Sequence, residues 1–298
     1  MRRWFALAML ALAACNGDNI SPSAPGEDAT AVLIGAGDVG VCGSHGAAAT
    51  GRLLEGTPGT IFAAGDLAYT DGTADQFQKC YDPAWGPLKQ RTRPAPGNHE
   101  YGSPGAAPYF AYFGANAGAP GLGYYGYRKG TWLVFSLNSN MEGAGGLSQV
   151  AWLRSELQRE TPVCSVAYFH HPRFSSGPHG LLPHAPVVGE LWHELYVAGV
   201  DIIISAHEHL YERFAPQAPD GRLDLQNGVR QFVVGTGGAP LSQPVRRIAN
   251  SEAVLSSFGV LRLTLDPQSY RWEFLAAESG GVLDSGAGLC HGRPESLR

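Results

Sequence analysis

The sequence predicts an α/β (α+β) fold: a four-layer α/β/β/α sandwich of two mixed β-sheets flanked by helices. Three observations predict it. Short apolar runs, several closed by glycine, alternate with helix-periodic segments through much of the chain. β-type runs then dominate the C-terminal part, which suggests a mixed β sandwich flanked by helices. Finally, Asp, Asn and His recur just after the buried runs, where α/β folds place their sites.

The elements follow in order. Residues 31–37, AVLIGAG, read as a buried strand with Asp38 at its C-terminal end. A short helix is expected over 47–55, a second strand over 60–65 ending at Asp66, and a helical stretch over 74–81. Asn98 and His99 follow the Pro-rich segment 94–97 and belong to a loop. Residues 132–137, WLVFSL, read as a strand. Residues 147–159 read as a helix with Leu147, Val150, Leu153 and Leu157 on its apolar face. Strand 163–169 ends at His170, helix 187–198 follows, and strand 200–204 stops just before His207. Further strands are expected at 229–234, 258–265 and 270–275.

The chain has 298 residues, 44% of them hydrophobic, enough for one large domain. Residues 1–15, MRRWFALAMLALAAC, place Arg2 and Arg3 before an apolar stretch too short to span a bilayer as a helix. The ending Leu12-Ala13-Ala14-Cys15 resembles the bacterial lipobox, which implies lipidation of Cys15 and export to the periplasmic face of a membrane or the cell surface. Residues 16–29 then form a polar tether, and 30–298 a single catalytic domain. Loss of Arg2 and Arg3 leaves 19 basic against 26 acidic residues, moving the formal charge from −5 to −7. Such a surface offers no general attraction for nucleic acid, and none is expected as a partner. The membrane is met through the lipid anchor only. Four cysteines remain, Cys42, Cys80, Cys164 and Cys290; export favours disulfides, and spacing leaves all three pairings open.

Five segments carry the chemistry: GDVG (37–40), GDLAY (65–69), GNHE (97–100), FHHP (169–172) and AHEHLYER (206–213). Singly, each is an ordinary turn sequence. Together they supply two Asp, one Asn and three His, a mixed oxygen and nitrogen set suited to Zn, Fe or Mn rather than to calcium.

The order and spacing of these segments closely resemble the calcineurin-like metallophosphoesterase superfamily. Tyr69, three residues after Asp66, narrows the resemblance to its purple acid phosphatase branch, in a short bacterial form; it runs from about Ala31 to His291. The resemblance implies that Asp38, Tyr69 and His209 bind ferric iron. Asn98, His170 and His207 would bind a second ion, Fe²⁺, Zn²⁺ or Mn²⁺, with Asp66 bridging the two. His99 would face the phosphoryl group, and His179 would stabilise or protonate the leaving group, with His184 as its runner-up. Glu100 would support His99, and His171 would lie behind the pocket or at its edge. The pairing implied is Cys42–Cys80 and Cys164–Cys290. Ala206 stands where the family usually has Gly.

The chemistry agrees. A phosphate ester repels nucleophiles, and two cations held by a shared carboxylate neutralise its oxygens and acidify a bound water. The implied activity is hydrolysis of a small phosphomonoester by a metal-bound hydroxide. A phosphodiesterase is the first alternative, and a non-catalytic metal- or phosphate-binding surface lipoprotein the second. Three features have plainer readings. GTGGAP (235–240) lacks the Lys and Ser/Thr of a phosphate loop and reads as a turn. Arg213 reads as an internal ion-pair partner before a phosphate clamp. The aromatics between Tyr101 and Tyr127 read as packing before a substrate cleft.

Overall fold

The structure is a computed structural model that describes residues 20–21, 30–160, 162–181 and 186–292. The leader, Cys15, most of the tether and His184 lie outside the described residues. Strands are numbered in chain order. One sheet has six strands, ordered β14 (Val282–Leu289), β13 (Ser269–Ala276), β12 (Gly259–Asp266), β2 (Ala31–Ala36), β3 (Thr60–Ala64) and β4 (Thr92–Ala95). The other has eight: β1 (Ile20–Ser21), β5 (Tyr125–Lys129), β6 (Trp132–Ser136), β7 (Ser165–Tyr168), β8 (Ile202–Ser205), β10 (Arg230–Val234), β9 (Tyr211–Phe214) and β11 (Ser251–Leu255). Both are mixed. β2, β3 and β4 run parallel in the first, and β6, β7, β8 and β10 in the second.

The continuous apolar runs have a simple cause: their strands are covered on both faces. Trp132 and Val134 join the core between the sheets, whereas Leu133 and Phe135 face the opposite way. The same alternation sends Val166, Tyr168, Ile202 and Ile204 inward, and Ala167 and Ile203 outward. The outward set is covered by α5 (Gly143–Arg159) and α6 (Pro186–Val197) through Val150, Leu153, Val188 and Leu191. Each such side chain, fully buried, contributes roughly 1.5–3 kcal/mol. On the six-stranded sheet, α1 (His45–Glu55) starts where Ser44 accepts the N–H of Ala47, and packs against β12 and α3 (Asp82–Trp85).

Some elements depart from expectation. The helix expected over 74–81 is α-helical only in α2 (Ala74–Gln76), continues as a π turn (Phe77–Tyr81), and the helical course runs on irregularly through α3 and a 3₁₀ turn (Gly86–Arg91). Pro83 and Pro87 lack the N–H a continuous helix needs. Leu147 is exposed, because α5 turns only Val150, Leu153 and Leu157 into the core. Within the expected tether, Ile20–Ser21 pairs parallel to β5. β4, β5, β9, β11, β14 and the helix α4 (Ala107–Phe113) were not expected from the sequence.

Both disulfides match the implied pairing. Cys42–Cys80 ties the loop after β2 to the broken helical segment, and Cys164–Cys290 joins the start of β7 to the end of β14. The second closes a separation of 126 residues, worth up to about 5 kcal/mol on the chain-entropy view. Among the described residues, no helix is long and apolar enough to cross a membrane.

Candidate metal centre

The parallel strands of both sheets end at one rim, and the five segments form its loops. The division of labour is complete. Asp38, Asp66, Tyr69 and Asn98 come from loops after β2, β3 and β4 of one sheet; His170, His207 and His209 come from loops after β7 and β8 of the other. Asp38, Asp66 and His207 all adopt positive φ, at 58°, 53° and 66°. Positive φ is uncommon outside glycine, and three such residues together mark a site whose surroundings hold it in place.

The donors converge on Asp66. Its Oδ2 lies 3.0 Å from His170 Nε2 and 3.4 Å from Tyr69 Oη. On one side, Tyr69 Oη donates to Asp38 Oδ1 at 2.8 Å and sits 3.2 Å from His209 Nε2. On the other, His170 Nε2 is 3.0 Å from Asn98 Oδ1 and 3.1 Å from His207 Nδ1. Backbone carbonyls fix two tautomers. Ala64 O accepts the Nδ1–H of His170 at 2.9 Å, and Pro240 O that of His209 at the same distance. The Nε2 lone pairs of both rings therefore face the carboxylates. Lone pairs converging on lone pairs need a positive charge between them, and this donor set fits a cation on each side of Asp66.

The electrostatics say the same. Burial opposes ionisation of Asp38, yet His209 and His170 hold its carboxylate well below the usual range. Burial would lower His170 and His209, but Asp66 and Asp38 raise both to about 9. Burial, with His170 and His171 nearby, lowers His207 to about 2, so its ring stays neutral and free to act as a donor to a cation. Burial, then Asp38 and Asp66, push the Tyr69 phenol far above its usual value. The two raised imidazoles add stability to metal-free protein that is complete below about pH 6.5 and lost as pH rises through about 9. Bound cations would supply that charge instead. Metal-stripped protein is therefore expected to lose a few kcal/mol between these limits. Metal-loaded protein is expected to keep it, as calorimetry at several pH values would show.

The supporting contacts were only partly legible. Glu100, expected to support His99, instead braces the loops around it. Its buried carboxylate accepts the N–H groups of Asp66, Leu67, Ala68 and Gly97, knitting the loops after β3 and β4 together. Burial and Asp66 push it up to about 7, against the N–H groups of Gly97 and Leu67. Gly97 is required here: a Cβ would sit 2.1 Å from Asp66 Oδ1. The His99 backbone N–H donates to Asp66 Oδ1 at 2.9 Å, its ring Nδ1 meets Thr70 O, and the ring packs 4.4 Å from Tyr69. His171 lies at the edge, its Nδ1 2.8 Å from Ser139 Oγ and its ring 4.6 Å from that of His207. His170, His171 and His207 can also converge on one ion, so His171 borders the second half-site more closely than expected. His179 packs 4.6 Å from His207, ring to ring.

Arg213 is no pocket residue; it pairs with Asp284 and Glu252 and stacks over Trp272. Tyr109, Phe113, Tyr125 and Tyr127 are buried core. Ala206 is accommodated because its methyl packs against Gly37. GTGGAP is more than a turn. Gly237 and Ala239 donate to the carbonyls of Gly37 and Asp38, and Pro240 orients His209. That loop acts through its backbone, which no side-chain pattern signals.

A cluster of Asp, Asn, Tyr and His at the shared rim of two mixed sheets defines a metallophosphoesterase class. The family model described as calcineurin-like phosphoesterase matches residues 33–211, and the chain belongs to that family. Within it, the chain is purple acid phosphatase-like. It is 28% identical to purple acid phosphatase 18 of Arabidopsis thaliana over 191 residues, 58% of this chain and 42% of that protein. The chain thus spans less than half the length of this relative. The fold matches a purple acid phosphatase from yellow lupin (TM-score 0.77, 21% identity, 89% of this chain and 54% of that one). It also matches GAP50, the anchor in the inner membrane complex of Plasmodium (TM-score 0.71, 14% identity, 88% and 89%). A third match is a dimetal phosphatase from Danio rerio (TM-score 0.61, 11% identity, 87% and 98%).

Proposed function

We propose that the protein is a dinuclear metal-dependent phosphoesterase that hydrolyses small phosphomonoesters outside the cytoplasm, tethered through Cys15. The observation that carries this is the position of Asp66, with one donor set on each side of its Oδ2. Asp38, Tyr69 and His209 would hold Fe³⁺, and Asn98, His170 and His207 would hold Fe²⁺, Zn²⁺ or Mn²⁺, Asp66 serving both. When bound, the two ions would neutralise phosphoryl oxygens and acidify a bound water.

The chain's own residues do the rest. Asn98 adds no charge, so its half-site remains a strong electrophile. His99 stands beside Asp66 and Tyr69 with Nδ1 against Thr70 O, which leaves Nε2 for a phosphoryl oxygen. His179 stands over His207 and supplies the leaving-group proton. These two histidines favour catalysis over mere metal or phosphate binding, which needs no proton donor. An anchor shares the fold, so the fold alone does not decide. Hydrolysis of an aryl phosphate by metal-loaded protein tests the proposal, and rates on mono- and diesters separate the phosphodiesterase reading.

Tyr69 carries the iron assignment. Its phenol, pushed so far up by burial and two carboxylates, ionises only against a strong Lewis acid. Metal-loaded protein is expected to absorb visible light through a ferric phenolate, and Tyr69→Phe to lose that band while retaining bound metal. Absorption spectra with elemental analysis check this; colourless, iron-free but active protein would remove the iron and keep the phosphoesterase.

A further inference from the structure

Between His207 and His209, which turn into the metal centre, stands Glu208, and it turns elsewhere. It is completely buried beneath the loop 175–180. Its Oε2 accepts the backbone N–H of His179 at 2.8 Å. Its Oε1 has no hydrogen-bond partner, and neither has His179 Nδ1; the two buried atoms face each other 3.5 Å apart. The neighbouring chain is shaped for this carboxylate. Gly177 passes so close that a Cβ would lie 2.1 Å from the Glu208 carboxyl carbon. A buried carboxylate with an unused oxygen is costly unless something completes it. Closure by about half an ångström would form a charge-assisted hydrogen bond, and such contacts tighten when substrate binds.

We propose that Glu208 is the positioning residue of His179. One carboxylate oxygen holds the backbone of the histidine and the other its Nδ1–H, so Nε2, on the far side of the ring, presents the proton. This rests on the reading of His179 as the proton donor. In the step it serves, a water-derived oxygen bonds to phosphorus as the P–O bond to the leaving group breaks, the electron pair of the broken bond stays on the leaving oxygen, and that oxygen takes the proton from Nε2. The conjugate imidazole remains hydrogen-bonded to Glu208. The same short segment would then bind metal through its outer residues and aim the acid through its middle one.

The test compares an activated ester, dinitrophenyl phosphate, whose leaving group needs little protonation, with propyl phosphate, whose leaving group needs it fully. Glu208→Gln is expected to lower kcat on propyl phosphate at least about 100-fold more than on dinitrophenyl phosphate. His179→Ala should show the same selectivity, and the double variant should lose no more than either single one. Equal losses on both esters, or additive losses in the double variant, would overturn the proposal, whether or not metal content falls. A second readout needs no turnover. Nitrogen-15 NMR of metal-free protein at fixed pH should find His179 as the Nδ1–H tautomer, and Glu208→Gln should abolish that preference. An unchanged tautomer mixture would overturn the proposal. If the wild-type protein hydrolysed neither ester, the functional reading would fall while the NMR result still decided the contact.

Discussion

Asp66→Asn is expected to lower kcat/KM on an aryl phosphate by about 10³-fold or more and to reduce bound metal below two ions per chain. The reasoning is electrostatic. Asp66 Oδ2 is the atom nearest both donor sets, 3.0 Å from His170 Nε2 and 3.4 Å from Tyr69 Oη. Two cations held close repel each other, and a shared carboxylate offsets that repulsion. Removing one stabiliser of developing charge alone costs about 10²–10³ in rate, and here the charge of both half-sites would fall together. The amide also changes the neighbourhood. Oδ1 now accepts the His99 N–H at 2.9 Å, and an amide nitrogen placed there could not. Steady-state kinetics with elemental analysis decides. Full turnover with two ions retained would show that Asp66 does not bridge.

Glu100→Ala is expected to be the most destabilising single change at the site, by about 4 kcal/mol. Its carboxylate is the acceptor for four backbone N–H groups on two loops. Each buried donor left alone costs about 1–3 kcal/mol, partly recovered if water fills the space. For a chain this size that corresponds to a fall in Tm of roughly 8–16 °C. Glu100→Gln keeps one acceptor oxygen and should fall between the two. Thermal unfolding of metal-free samples separates this effect from metal loss. A Tm within a degree or two of wild type would mean the loops hold their shape without the carboxylate.

What the sequence disclosed, and what it hid, follows from how each residue acts. Strands buried on both faces, such as β6 and β8, announce themselves as apolar runs. β4 contains Pro94 and lies at a sheet edge, where the missing N–H is tolerated, so its pattern reads as a loop. β14 is an edge strand too, Gly-rich and largely exposed, with no hydrophobic alternation to read. β9 carries Glu212 and Arg213, whose partners lie far away in sequence. The seven candidate ligands were legible because their side chains recur after strands in a known order. The carbonyls of Ala64, Thr70 and Pro240 were not, because any residue can offer one. Glu208 was hidden in plain view within AHEH: adjacent residues there point into different surroundings, and spacing alone does not reveal which.

The division of donors between the sheets has a mechanical consequence. Cys164–Cys290 crosslinks the two sheets at the end of the sandwich remote from the rim. Oxygen donors from one sheet and imidazoles from the other would meet across the opposite end. The sandwich would thus be fastened twice, by a covalent bond at one end and by ions at the other, and only the second fastening is reversible. Chelation should let the rim loops breathe while the far end stays shut. Amide exchange would rise in the segments around Asp66 and His207 and remain slow near Cys164. A protein built this way could close its disulfides first and take up metal afterwards, through a mouth that is still open.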